Sequence, residues 1–126
     1  ELLCRDHIKQ IKKKLDIYGV YAEESIWYAK PEEINGIEKR GAQIDLLIER
    51  RDRVINLCEI KFSLHEFEID KSYDDSLRNK IERFRQAIGP RDTIALTMIT
   101  TFGVKNNKYS GLVSNQVILD NLFAQI

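Results

Sequence analysis

Three charged residues sit where two apolar strands would otherwise present core side chains. In "GAQIDLLIERRDRVINLCEIKFS", positions 41 to 63, Asp45, Glu59 and Lys61 interrupt runs suited to burial. The runs at 43–49 and 54–62 read as strands, with "RDR" (51–53) as a three-residue turn between them. A turn centred on position 52 sets Asp45 opposite Glu59. Directly opposed residues on one face have Cβ atoms about 5 Å apart. Lys61 lies two residues beyond Glu59, on the same face and diagonal to Asp45. Two carboxylates placed this way repel each other unless a positive charge lies between them.

That layout suits a hard divalent cation such as Mg²⁺ or Mn²⁺, which prefers carboxylate and water oxygens. Such an ion lowers the pKa of a bound water and neutralises charge developing on a phosphate. Lys61 would orient or help activate the attacking water and offset the extra negative charge of the transition state. Phosphodiester hydrolysis needs those parts. The plainer alternative is a structural ion pair between Lys61 and one of the carboxylates near a strand end. In the metal reading the opposed carboxylates repel when no metal is bound, so Asp45→Asn should stabilise the metal-free fold. Gln43 shares a strand face with Asp45, either as polar filler or as a contact to a metal-bound water or a phosphate.

The elements that position these residues follow from periodicity. Leu3, His7, Ile8, Ile11 and Leu15 recur at helical spacing over residues 2 to 17, and Gly19 is a plausible stop. "SIWYAK" (25–30) reads as a strand, and Pro31 and Gly36 mark a polar turn. On the next strand Ile44, Leu46 and Ile48 point one way, and Asp45 and Leu47 the other. On the one after it Val54, Cys58, Ile60 and Phe62 share a face, opposite Ile55, Leu57, Glu59 and Lys61. Both faces are largely apolar, as expected of central strands covered on each side. "LHEFEIDKSYDD" reads as an irregular acidic connection. Leu77, Ile81, Phe84 and Ile88 then give a helix over 76–88, ended by Gly89 and Pro90. "TIALTMITTFG" (93–103) is a β-branched, buried strand, "LVSNQVIL" a further strand, and "DNLFAQI" a short helix begun by Asp120. The order is helix, three strands, helix, strand and a tail, an α/β domain.

Length and composition bound the partners. The 126 residues suit one domain over 1–126, and the chain opens on Glu1 rather than Met, as a piece of a longer protein would. With 20 basic and 20 acidic residues no global field draws it to nucleic acid or to anionic membrane. Two local basic clusters, Lys9 with Lys12–Lys14 and Arg78, Lys80, Arg83, Arg85 and Arg91, read as solvated helix faces. Cys4 and Cys58 lack the spacing of a zinc site or a disulfide framework, which suits a reducing cytoplasm. No run approaches the roughly 18 apolar residues of a membrane span. No Gly-x-x-x-x-Gly-Lys-Ser/Thr loop occurs, so this piece does not bind ATP in the usual P-loop way. His7, His65, Trp27 and Tyr28 read as packed, surface, core and edge residues, and Cys58 faces away from the carboxylates.

"QID" followed by "CEIKFS" in this element order resembles the PD-(D/E)XK nuclease superfamily, the fold of many restriction endonucleases. More closely, "HIKQIKKKLDI", the hairpin and "TFG" resemble the C-terminal domain of a group of bacterial ATPases, where it follows an AAA-type, P-loop module and a winged helix. The resemblance implies a restriction-endonuclease-like core with a mixed central sheet, a Mg²⁺- or Mn²⁺-dependent nuclease acting on DNA, and the chain's own ATPase module as partner. It implies Asp45 and Glu59 as metal ligands and Lys61 as the motif lysine, with Glu1 either a first-helix carboxylate completing the metal site or a frayed terminal residue. Ile44 stands where many relatives have proline, and Gln86 is followed by "AIGP" rather than by a tyrosine pattern. A non-catalytic module of the same fold, binding DNA or a protein, is the alternative, and an unrelated α/β interaction domain a third.

Overall fold

The expected hairpin is the centre of the sheet. The computed structural model describes residues 2–125. Along the chain run α1 (Leu2–Asp6), α2 (Ile8–Lys14), β1 (Ala22–Ala29), β2 (Glu32–Ile34), β3 (Ile37–Lys39), β4 (Ala42–Arg50) and β5 (Val54–Lys61). There follow α3 (Lys71–Ile88), β6 (Thr93–Thr100), β7 (Asn115–Ile118) and α4 (Leu119–Leu122). Five strands form one mixed sheet in the order β1-β4-β5-β6-β7. The pairs β1–β4 and β4–β5 are antiparallel, and β5–β6 and β6–β7 parallel. Helix α3 makes the crossover that the parallel β5–β6 pair requires.

The turn fixes the register of the hairpin. Leu46 pairs with Cys58, Leu47 with Leu57 and Ile48 with Asn56, as a three-residue Arg51–Arg53 turn dictates. Arg53 closes that turn at φ 69°, the left-handed position such loops use. Both faces of the sheet are then covered. Leu77 and Phe84 of α3 pack on Ile44, Leu47, Leu57 and Met98 of the sheet, with Trp27 edge-on to Phe84 at 5.3 Å. The opposite face buries Leu46, Ile48, Cys58, Ile99 and Val117 against Cys4, Ile11 and Leu122 of the terminal helices.

Ile44 corrects the expected alternation: it packs with Leu47, not with Leu46 and Ile48. Ser25 opposes Leu47 and Trp27 opposes Ile44, so Asp45 and Leu46 together face the single residue Ile26. This is a β-bulge, and one extra residue reverses the alternation beyond it.

Other boundaries moved for local reasons. The first helix is broken at His7 into α1 and α2 and ends at Lys14, not near residue 17. The polar "PEEINGIEKRG" folds into the hairpin β2–β3, turned by Asn35 (φ 52°) and Gly36 (φ 78°), an Asn-Gly pair of the tight-hairpin kind. Arg83 of α3 holds that hairpin, donating to Glu32 Oε1 at 2.8 Å, to the Lys30 carbonyl at 3.3 Å and to the Arg40 carbonyl. Helix α3 begins at Lys71, five residues before the expected start at 76, because the Asp70 carboxylate accepts from the Tyr73 amide at 2.8 Å and caps it. Among the described residues no helix is long and apolar enough to cross a membrane.

Cys4 and Cys58 are free and buried in one cluster, and burial pushes both thiols up, Cys58 far up. A buried thiol held neutral is a poor nucleophile. Neither should react with a chromogenic disulfide reagent in the native protein, and both should react in denaturant. Prompt labelling of native protein would contradict this packing.

Candidate functional site

Strand alternation turns Glu59 towards α3, where its side chain is 6% exposed. An isolated carboxylate in that setting is costly, so its partners matter. Lys80 Nζ lies 2.9 Å from Oε1 and 3.1 Å from Oε2, so one ammonium spans both oxygens. The Tyr73 hydroxyl donates to Oε1 at 3.2 Å. Burial, reinforced by the Glu59 charge, pushes the Tyr73 phenol far up, so it stays a donor. Tyr73, Leu77, Lys80 and Phe84 fall at spacings of four, three and four on α3, and so share one face of that helix. Two polar heads are thereby set into an otherwise apolar stripe.

Asp45 sits at the bulge, half-buried, and its Oδ1 accepts from Gln43 Nε2 at 2.7 Å. The β4–β5 ladder ends at the pair Leu46 with Cys58, the residues that adjoin Asp45 and Glu59 in sequence. Bulges beside functional sites commonly re-aim a side chain in this way. Gln43 thus holds Asp45 directly.

Lys61 ends β5 on the exposed side. Its ammonium lies 5.3 Å from the centroid of the Tyr73 ring and pairs with no carboxylate among the described residues. The structural ion pair expected between Lys61 and a carboxylate is therefore corrected: Lys80 takes that role. The reason is geometric, since α3 delivers Lys80 onto the buried face while Lys61 stands exposed at the end of the central strand β5. The sequence did carry a signal for Lys80, a lysine set among Leu77, Ile81 and Phe84 at helical spacing.

Glu1, the expected third carboxylate, lies outside the described residues. Among the described residues no group of three or more His, Cys, Asp or Glu is placed to hold a metal. The ring of His7 packs edge-on to Phe123 at 5.2 Å, and His65 is exposed. Trp27 packs against the core and Tyr28 is exposed at the edge. Several basic residues of α3 are engaged within the fold. Arg78 pairs with Asp74, Lys80 with Glu59 and Arg83 with Glu32, while Arg85 caps the carbonyls of Gly89 and Asp92. Of the cluster expected to be a solvated face, Arg78 and Arg91 are exposed, whereas Arg83 is buried and Lys80 and Arg85 are partly so.

This geometry changes the result expected for Asp45→Asn. Lys80 already neutralises Glu59, and Gln43 already donates to Asp45. Removing the Asp45 charge therefore relieves little repulsion, and the metal-free stability should change by no more than about 0.5 kcal/mol. Urea unfolding measures it, and a gain well above that would show that the two carboxylates do oppose each other strongly.

No family model matches this chain, and no curated protein matches it. A crystal structure of a protein of unknown function, AF1548, is similar over 93% of this chain and 57% of that one, with a TM-score of 0.56 and 14% identity. The chain thus spans a little over half the length of that structure, and the likeness concerns the fold alone.

Proposed function

We propose that this chain is a Mg²⁺-dependent nuclease domain of the PD-(D/E)XK type that hydrolyses DNA phosphodiester bonds. We further propose that it forms the C-terminal part of a bacterial AAA-type ATPase, whose own P-loop module is its partner. The observation that carries the nuclease reading is the buried carboxylate Glu59 on β5, with Asp45 on the paired strand β4 and Lys61 exposed at the end of β5. The mixed sheet with α3 as its crossover supports a restriction-endonuclease-like core. The ATPase assignment rests on the resemblance of the hairpin and first helix.

The donor set fits a hard cation, since Asp45 and Glu59 offer carboxylate oxygens and Mg²⁺ usually keeps several waters. When bound, the ion would supply a water of lowered pKa and neutralise charge on the phosphate. Asp45 and Glu59 would hold it. Gln43 fixes the orientation of Asp45, and Tyr73 that of Glu59. Lys61, with no carboxylate partner among the described residues, is the ammonium available to the attacking water or the phosphate.

The second reading, a non-catalytic module of this fold binding DNA or a protein, is favoured by one observation. Both oxygens of Glu59 are already engaged by Lys80. One assay separates the two: purified domain on single- and double-stranded DNA, with and without Mg²⁺ or Mn²⁺, alongside calorimetry of metal binding. Cleavage that needs metal, and metal binding abolished by Asp45→Ala, are expected. No cleavage with either metal, even when joined to the ATPase, would leave the module reading.

A further inference from the structure

The Lys80–Glu59 contact is more than a surface pair. The ammonium reaches both oxygens of a carboxylate that is 6% exposed, and a phenol covers one of them. That is the position a cation would occupy on Glu59. A divalent ion and an ammonium on one buried carboxylate repel each other, and the low local dielectric strengthens that repulsion. They cannot share Glu59 cheaply. Lys80 also has somewhere to go: its side chain is 23% exposed and ends a flexible four-carbon stem. It can leave for solvent with no movement of the α3 backbone, while Tyr73 stays to hold Glu59.

We propose that Lys80 is the resident cation of this site, and that a divalent metal binds Glu59 only by displacing the Lys80 ammonium. This rests on the metal reading of Asp45 and Glu59. It makes the metal-free site a closed one, with Glu59 held ionised and in place but unavailable. The strength of the ion pair is subtracted from the affinity for metal, which makes Lys80 a positioning residue that sets the metal threshold rather than a catalytic one.

The test uses metal binding rather than cleavage. Mn²⁺ affinity is read from the disappearance of the free-ion paramagnetic resonance signal, for wild type, Lys80→Met and Asp45→Asn. With the competing charge gone, Lys80→Met should bind Mn²⁺ about tenfold more tightly or better, whereas Asp45→Asn should lose binding. Because Lys80→Met leaves a buried carboxylate unpaired and loses stability, a second measurement uses wild type alone. Nitrogen-15 spectra of its lysine ammonium groups, followed during Mg²⁺ titration, should show the Lys80 signal shift and its exchange with solvent accelerate. Asp45-dependent binding with an unmoved Lys80 signal, or with unchanged affinity in Lys80→Met, overturns the displacement and leaves the metal site standing. Absence of Asp45-dependent binding in wild type overturns the metal reading itself, and this inference with it.

Discussion

On the proposed nuclease reading, a Lys61→Ala domain is expected to stay folded, to bind divalent metal as the wild type does, and to cut DNA about 10²- to 10³-fold more slowly, the usual loss when one preorganised donor to the transition state is removed. The structure separates these effects cleanly. Lys61 is exposed, pairs with no carboxylate among the described residues, and touches the fold mainly through the face of Tyr73 at 5.3 Å. An exposed cation–π contact contributes about 0.5–1 kcal/mol, so stability should fall by no more than that. Lys61→Arg sharpens the result. Arginine keeps the charge and stacks on the same ring, but its planar, weakly hydrated fork does not reproduce a compact ammonium near an attacking water. It should fold as well as wild type and still cut poorly. Wild-type cleavage rates in Lys61→Ala would move the catalytic ammonium elsewhere. A large loss of stability would instead reveal a structural role that its exposure does not suggest.

The largest effect on stability is expected at the Glu59–Lys80 pair. Lys80→Met should cost roughly 3 kcal/mol, because it strands a buried carboxylate with only the Tyr73 hydroxyl as partner. The partial exposure of Lys80 puts the figure at the low end of the range for breaking a buried pair. Glu59→Gln alone should cost less, since the freed ammonium can reach water. The double variant Glu59→Gln, Lys80→Met should recover most of the Lys80→Met loss, since a neutral amide beside a thioether leaves no stranded charge. Urea unfolding of all four proteins gives the coupling energy directly. Strictly additive losses would show that the two groups do not interact in solution as their 2.9 Å separation implies.

Much of the frame was legible before folding was considered. Three-residue turn chemistry at Arg51–Arg53 fixed the hairpin register, and the structure keeps that register from Glu49 with Ile55 to Leu46 with Cys58. Two-sided apolar strands announced a sheet covered on both faces, and the clusters on its two sides bear that out. The hairpin β2–β3 was within reach too, since its Asn35–Gly36 turn is a strong local signal masked by a highly charged segment. Less accessible was the split of the first helix at His7, for which the structure offers no side-chain cap as explanation.

What the sequence determined by itself was therefore whatever short-range geometry controls: the hairpin turn with its register, the two-sided apolar strands and the apolar stripe of α3. Which charges meet was decided only by tertiary structure. The bulge opposite Ile26 depends on how β1 pairs with β4, and it moved Ile44 to the other face beside Asp45. The partner of Glu59 lies 21 residues away on a helix that must first cross the sheet. Lys61 and Lys80 look equivalent in composition. The crossover separates them, because α3 lays one over the buried carboxylate while β5 carries the other out to solvent.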